Sequence, residues 1–412
     1  MSRRNVEFLC GVVIVGLLAG FAGLATTLVL RFVEHLTYHY AFGTLLQGVT
    51  GSSPVRRAMG PMVGGALAGF GWWLLRSRTA RPRLPEAIAR GERIGLAPFG
   101  IDAALQVLLV GSGASLGREG APRQFAAALS DFGMRWLKRL SASDREILLA
   151  CAAGAGLGAV YAVPVGGALF TTRIVLRSWH PRAVGAALIT SSLAVAVASL
   201  VTHNQPILAW PSPHLSYRLV GYALVLGPLA LLVGLAFNRL MAAADRAAVT
   251  RSWLLIPAIA GAGLLIGICS HWWPELPGNG KSILTATLAS GMTVTTAAAV
   301  LALKPFLTAV VLRAGGTGGM LTPALATGAA AGTLFVLSIN AAVGTHFHVE
   351  AMSLAGAAGV LAVTQRTPFW AAIFVWELAR PPLWLLLVFL ATALAAYGIR
   401  LLVDRVPGLA RP

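Results

Sequence analysis

Apolar residues run along this chain in stretches too long and too frequent for a water-soluble core. Cys10–Leu30, Ala183–Val201, Tyr217–Phe237 and Leu383–Leu402 carry at most one charge each. They approach the ~20 residues that a helix needs to cross a bilayer. Between them lie shorter apolar segments cut by glycine and proline: Ala103–Val110, Ala121–Phe132, Ile283–Ala289, Leu321–Gly332 and Pro368–Leu378. These predict broken or re-entrant helices with ends at membrane depth. Lipid cannot satisfy the backbone groups of such ends, so they must face protein or a water-lined cavity. That arrangement commonly marks a transporter's binding site.

Composition sharpens this picture. The chain is 57% hydrophobic and 11% charged, with mean hydropathy +0.76. Its 32 Lys and Arg against 14 Asp and Glu give a net charge of +18. In a soluble protein that excess would suggest nucleic acid. Here it sits in patches between apolar segments, around Arg76–Arg93, Arg135–Arg145, Arg173–Arg182 and Arg239–Arg251, and basic loops mark the cytoplasmic face. Thr202–Ser216 carries no Lys or Arg and fits the outer side, while Arg56 and Arg57 fit less well. The basic start at Arg3 and Arg4 leads into an apolar run with no small-residue cleavage signal after it, which reads as a retained first span. The expectation is a multi-pass protein of the cell membrane, in contact with lipid and not with nucleic acid. Cys10, Cys151 and Cys269 are far apart in apolar segments and suggest packing, not disulfides or a metal.

A weak internal repeat runs through the sequence. Gly117-Arg118-Glu119-Gly120-Ala121-Pro122 is followed by the alanine-rich Cys151–Val160 and by Pro164. Gly318-Gly319-Met320-Leu321-Thr322-Pro323 is followed by the similar Ala355–Val363 and by Pro368. Pro122 and Pro164 are 42 residues apart, Pro323 and Pro368 45. This predicts two repeat halves, residues 1–205 and 206–412, forming one transmembrane domain, with the site at their interface. Arg173 and Glu377 stand at the same offset after Pro164 and Pro368, and each is expected to have a structural polar role.

The glycine-rich stretch before Glu119 opens a short apolar helix. A helix start offers free N–H groups and a partial positive charge, hence an anion site. Glu119 is itself an anion there: ionised it can fill the site, and displaced it leaves the site to a substrate. Spacing alone leaves open whether it instead caps its own helix. Gly315–Pro323 repeats the same physics at the equivalent place in the second half, with small-residue helix packing as the alternative. Gly280-Lys281-Ser282 resembles the tail of a phosphate-binding loop, but Glu275 stands where that loop needs glycine, which excludes a nucleotide site. Asp102, Arg123, Asp131, Lys304, Arg313 and Arg366 lie in or near apolar segments, and for most of them interfacial snorkelling is expected.

On these motifs the sequence resembles the CLC family of chloride channels and chloride/proton antiporters over nearly its full length. The family's GREGP motif matches Gly117, Arg118, Glu119 and Gly120, followed by Gln124, with Ala121 in place of the proline. GGxFxP matches Gly318, Gly319 and Pro323, with Leu321 in place of Phe. The resemblance implies an all-α integral membrane fold, an inverted-repeat bundle with broken and re-entrant helices, assembled as a homodimer with one pore per subunit. It implies transport of chloride or similar small monovalent anions, channel-like or proton-coupled, with no cofactor and no metal. Glu119 would be the gate. Arg118, Glu119, Gly120, Gly319, Met320, Leu321 and Pro82 would form the anion site, through backbone N–H groups near Glu119, Gly120, Met320 and Leu321.

The departures are specific. Where the family's GSGIP serine helps bind the central anion, this chain has Pro82, within Arg81–Glu86. Proton-coupled members carry two glutamates where this chain has Arg173 and Ile174. The C-terminal pore tyrosine has no match, the alignment reaching Gly408. Alternatives are a fluoride-exporting antiporter and a degenerate member with little transport. An intramembrane serine enzyme using Ser112 or Ser115 would need a histidine deep in a span, and the eight histidines lie near segment ends or loops. No enzyme is expected.

Overall fold

The computed structural model describes residues 2–79, 83–202, 217–289 and 291–405. Among these residues, seventeen α-helices and no β-strand form. Before residue 203 they are α1 (Arg3–Tyr38), α2 (Leu45–Gly51), α3 (Pro54–Arg78), α4 (Leu84–Ala89), α5 (Leu96–Gly111), α6 (Gly120–Gly133), α7 (Ala142–Tyr161), α8 (Pro164–Leu169) and α9 (Pro181–Thr202). After residue 216 come α10 (Arg218–Arg246), α11 (Leu255–Cys269), α12 (Lys281–Leu288), α13 (Val294–Arg313), α14 (Leu321–Val343), α15 (Val349–Gln365), α16 (Pro368–Ala379) and α17 (Leu385–Asp404).

Local chemistry sets many of these boundaries. The side chains of Ser2, Thr44, Ser53, Ser141 and Thr293 cap helix starts by accepting an N–H from the first turn. Proline opens α3, α8 and α16, where its missing N–H costs nothing. α8 continues into a π-helical turn at Phe170–Val175. Among the described residues, seven helices are long and apolar enough to cross a membrane: α1, α3, α9, α10, α13, α14 and α17.

The packing repeats. α1 lies on α7 and α9 as α10 lies on α15 and α17. The contact of α6 with α7 recurs as α14 with α15, α8 with α9 as α16 with α17, and α3 with α5 as α11 with α13. Two pairs, α3 with α11 and α8 with α16, join the sets. Small residues permit the close crossings: a Cβ on Gly65 or Gly69 of α3 would lie 2.6 Å from Ile259 O or 2.7 Å from Leu255 O of α11. The architecture is the expected all-α inverted-repeat bundle. The expected join between residues 205 and 206 lies outside the described residues, as do Pro82 and Gly408.

Three expectations change. Leu321–Gly332 is not a short segment but the first part of the 23-residue α14. Its Gly328 and Gly332 do not end the helix; they let it approach α15 at Gly356 and Met352. Snorkelling does not describe Asp102 or Lys304, both buried. Asp102 accepts from Trp72 Nε1 at 2.8 Å and Gln106 Nε2 at 2.7 Å. Lys304 Nζ donates to Leu276 O at 3.0 Å and Gly278 O at 2.6 Å, pinning the loop before α12. Arg57, at odds with the charge pattern, donates to Ser52 O, Thr50 O and Ser270 O, so it satisfies the backbone between α2, α3 and α11.

Candidate functional site

The two glycine-rich loops meet at the centre of the fold. Gly117 N donates to Gly319 O at 2.7 Å, and Gly319 N to Gly117 O at 2.8 Å, an isolated antiparallel bridge across 202 residues of sequence. Neither glycine has room for a side chain, because an added Cβ would overlap the Glu119 carboxyl group.

This bridge places Glu119, the residue before α6, against the start of α14. Its side chain does not cap its own helix. Oε1 accepts from Leu321 N at 2.6 Å and Thr322 N at 3.2 Å. Oε2 accepts from Thr322 Oγ1 at 2.7 Å and Tyr161 OH at 3.2 Å. Tyr161 and Thr322 also share a 2.8 Å hydrogen bond. The carboxylate is 0% exposed. It therefore sits where the α14 amides and dipole would hold any anion, and its oxygens stand in for that anion.

The structure thus brings together Arg118, Glu119, Gly120, Gly319, Met320 and Leu321. The amides that reach the carboxylate belong to Leu321 and Thr322, one residue beyond Met320, whose side chain is half-exposed. Arg118 turns away: its Nη2 donates to Val160 O at 3.1 Å and its guanidinium lies 5.0 Å from the Tyr161 ring centroid. Sequence reasoning missed the hydroxyls of Thr322 and Tyr161. The one signal was that Tyr161 ends the alanine-rich helix just before Pro164.

Two cavities flank the site. One, about 420 Å³, is lined by Arg118 together with the Tyr38 end of α1 and the start of α12. The other, about 270 Å³, is lined by Arg123 of α6 with Leu84, Pro85, Glu146, Ile174 and Arg177. It lies towards the opposite end of α1, where Arg4 and Arg182 both pair with Asp144 at the start of α7, at 2.7 and 3.0 Å. At ~1.5 Å per residue α1 is long enough to separate two faces of a bilayer. Along the chain, Glu119 stands between Arg118, which lines the first cavity, and Arg123, which lines the second.

The fold and site define a multi-pass helical membrane protein in which a buried carboxylate from one set of helices occupies a helix start of the other. The voltage gated chloride channel family matches residues 64–400, and the chain belongs to that family. It is 29% identical over 376 residues to the voltage-gated ClC-type chloride channel ClcB of Escherichia coli (strain SMS-3-5 / SECEC), covering 89% of each chain. ClcB of Escherichia coli O81 (strain ED1a) is 28% identical over the same length. Among solved structures, a slow cyanobacterial Cl⁻/H⁺ antiporter superposes with TM-score 0.79 at 19% identity, covering 95% of each chain. A CLC-type fluoride/proton antiporter gives 0.74 at 17%, covering 97% of this chain and 96% of the other.

Proposed function

We propose that the protein carries chloride or a similar small monovalent anion across the cell membrane, along a pathway that Glu119 closes. Residues 1–205 and 206–412 act as two halves of one transmembrane unit, and two such chains form a homodimer with one pathway each. One observation carries the reading: a fully buried carboxylate accepts four hydrogen bonds from the α14 start and Tyr161, in a segment whose Arg118 lines one cavity and whose Arg123 lines another. When Glu119 is protonated it loses its charge and its hold on these donors weakens. An anion then takes the vacated donors, sheds part of its water onto them, and leaves through the other cavity. The relatives' names support chloride as cargo. The family proton carrier next to Arg173 is replaced by Ile174, an aliphatic side chain that cannot hold a proton, and it lines the 270 Å³ cavity.

The test is anion efflux from liposomes with simultaneous pH recording, for wild type and Glu119→Gln, with chloride, nitrate and fluoride. Wild-type flux that rises as external pH falls, and that loses this dependence in the variant, is the expected result. Opposed proton movement in wild type alone would add coupled exchange to the reading. Absence of flux for all three anions, with an intact dimer, would overturn it in favour of a degenerate family member.

A further inference from the structure

The larger cavity holds a cluster of charges that Glu119 gating does not use. Arg31 and Glu34 project from the last turns of α1, Arg118 from the loop before α6, and Lys281 from the first position of α12. Three cations thus face one acid. Arg118, Lys281 and Arg31 all act electrostatically on Glu34. Yet among the described residues none of the three has a carboxylate within 4.0 Å. Glu34 is held instead by Tyr40, whose hydroxyl donates to Oε2 at 3.4 Å.

The cations are positioned but unsatisfied. Arg118 is fixed from behind by Val160 O and the Tyr161 ring, and its Nε is buried with no hydrogen-bond partner. Lys281 is anchored through its backbone N–H, which donates to Asn279 Oδ1 at 3.1 Å, while its ammonium makes no hydrogen bond among the described residues. Walls of low dielectric strengthen the field of such a cluster and raise the local concentration of counter-ions. The space, about 420 Å³, is far larger than one bare halide, so an anion there keeps part of its water.

We infer that this cavity is a second anion site, in which a partly hydrated monovalent anion of the halide or nitrate class rests between Lys281 and Arg118, with Arg31 at the rim. It rests on the reading of Glu119 as the gate only for its consequence in transport. Arg118 adjoins Glu119 and contacts the tyrosine that bonds it, so an anion held here waits one step from the donors that Glu119 occupies. Glu34 keeps the net charge of the four groups low enough that the anion is released and not trapped.

The site is tested on the full-length chain in two ways. Crystals of wild type soaked in bromide should show an anomalous peak between Lys281 and Arg118 while Glu119 remains on α14. In liposomes, Lys281→Gln should raise the half-saturating external chloride concentration by roughly tenfold with little change in maximal flux, and Lys281→Arg should restore it. Wild-type crystals with no bromide in this cavity would overturn the inference, even if Lys281→Gln failed to fold. So would a Lys281→Gln saturation curve that overlays wild type. A wild-type protein that carries no anion would overturn the gating proposal instead, leaving the bromide peak to decide this site.

Discussion

Two buried carboxylates in this molecule sit on helix starts, each reaching across to the opposite set of helices. Glu119 binds the first amides of α14. Glu377, near the end of α16, accepts from Val165 N at 3.0 Å and Gly166 N at 2.6 Å at the start of α8. Their chemistry is the same, and their surroundings are not. Glu377 is part of a regular helix packed on α8, and the contact is flanked by Trp370 Nε1 donating to Gly166 O at 2.9 Å and Arg380 Nη2 donating to Ala162 O at 3.1 Å. Glu119 lies in the glycine-flanked loop before α6, whose backbone the Gly117–Gly319 bridge already holds beside α14, so its side chain can leave the α14 amides without breaking that bridge. The comparison teaches that a carboxylate on a helix start is a fastening or a gate according to how many other contacts break when it moves.

The sharpest way to break this comparison is to neutralise each carboxylate. Glu119→Gln should change anion flux at neutral pH by more than about tenfold, because a neutral amide competes weakly for donors that favour charge, while the thermal midpoint moves little. Glu377→Gln should do the reverse. One of its two amide partners is left buried without a charged acceptor, at a cost of about 1–3 kcal/mol, so the midpoint of the detergent-solubilised protein falls while flux per folded molecule and its pH response persist. If Glu377→Gln alters the pH response as Glu119→Gln does, both residues are gates and the distinction fails.

A smaller effect tests the gate alone. Thr322→Val keeps the shape of the side chain and removes the 2.7 Å hydroxyl donor to Glu119. A hydrogen bond to a charged group contributes about 1.5–3 kcal/mol, so the gate should open at higher external pH and basal flux should rise roughly tenfold. An unchanged pH profile would mean that the backbone amides alone hold the carboxylate.

Much of this was legible in the sequence and some was not, for identifiable reasons. Gly117–Pro122 and Gly318–Pro323 marked two helix starts because glycine followed by an apolar run is a local signal. Their meeting followed from the repeated spacing to Pro164 and Pro368. What Glu119 binds was not local: its partners Leu321 and Thr322 are 202 and 203 residues away, and nearby sequence offered its own helix as an equal partner. The symmetry of Arg173 and Glu377 misled in part. Glu377 is the buried fastening, but Arg173 is exposed and lies over the Trp179 ring, 5.0 Å from its centroid. The glycines of α14 read as breaks because close helix crossing and helix ends use the same residue.

The smallest predicted effect asks whether Tyr161 serves the gate or the anion. Its hydroxyl has one proton and two acceptors, Glu119 Oε2 at 3.2 Å and Thr322 Oγ1 at 2.8 Å. Thr322 commits its own proton to Glu119 at the shorter distance, so the tyrosine either adds a second donor to the carboxylate or strengthens the first. Tyr161→Phe keeps the ring that contacts Phe374 at 5.9 Å and carries the Arg118 guanidinium, and it removes only the hydroxyl. A single hydrogen bond of this kind contributes about 0.5–1.5 kcal/mol, or roughly a twofold to tenfold change in half-saturating chloride. The informative measurement is the same substitution in the Glu119→Gln background, since two groups that share one interaction are not additive. If the hydroxyl acts only by holding Glu119, its effect vanishes there. If it persists, Tyr161 donates to the permeating anion itself, and the place that Glu119 vacates is lined by hydroxyls as well as by amides.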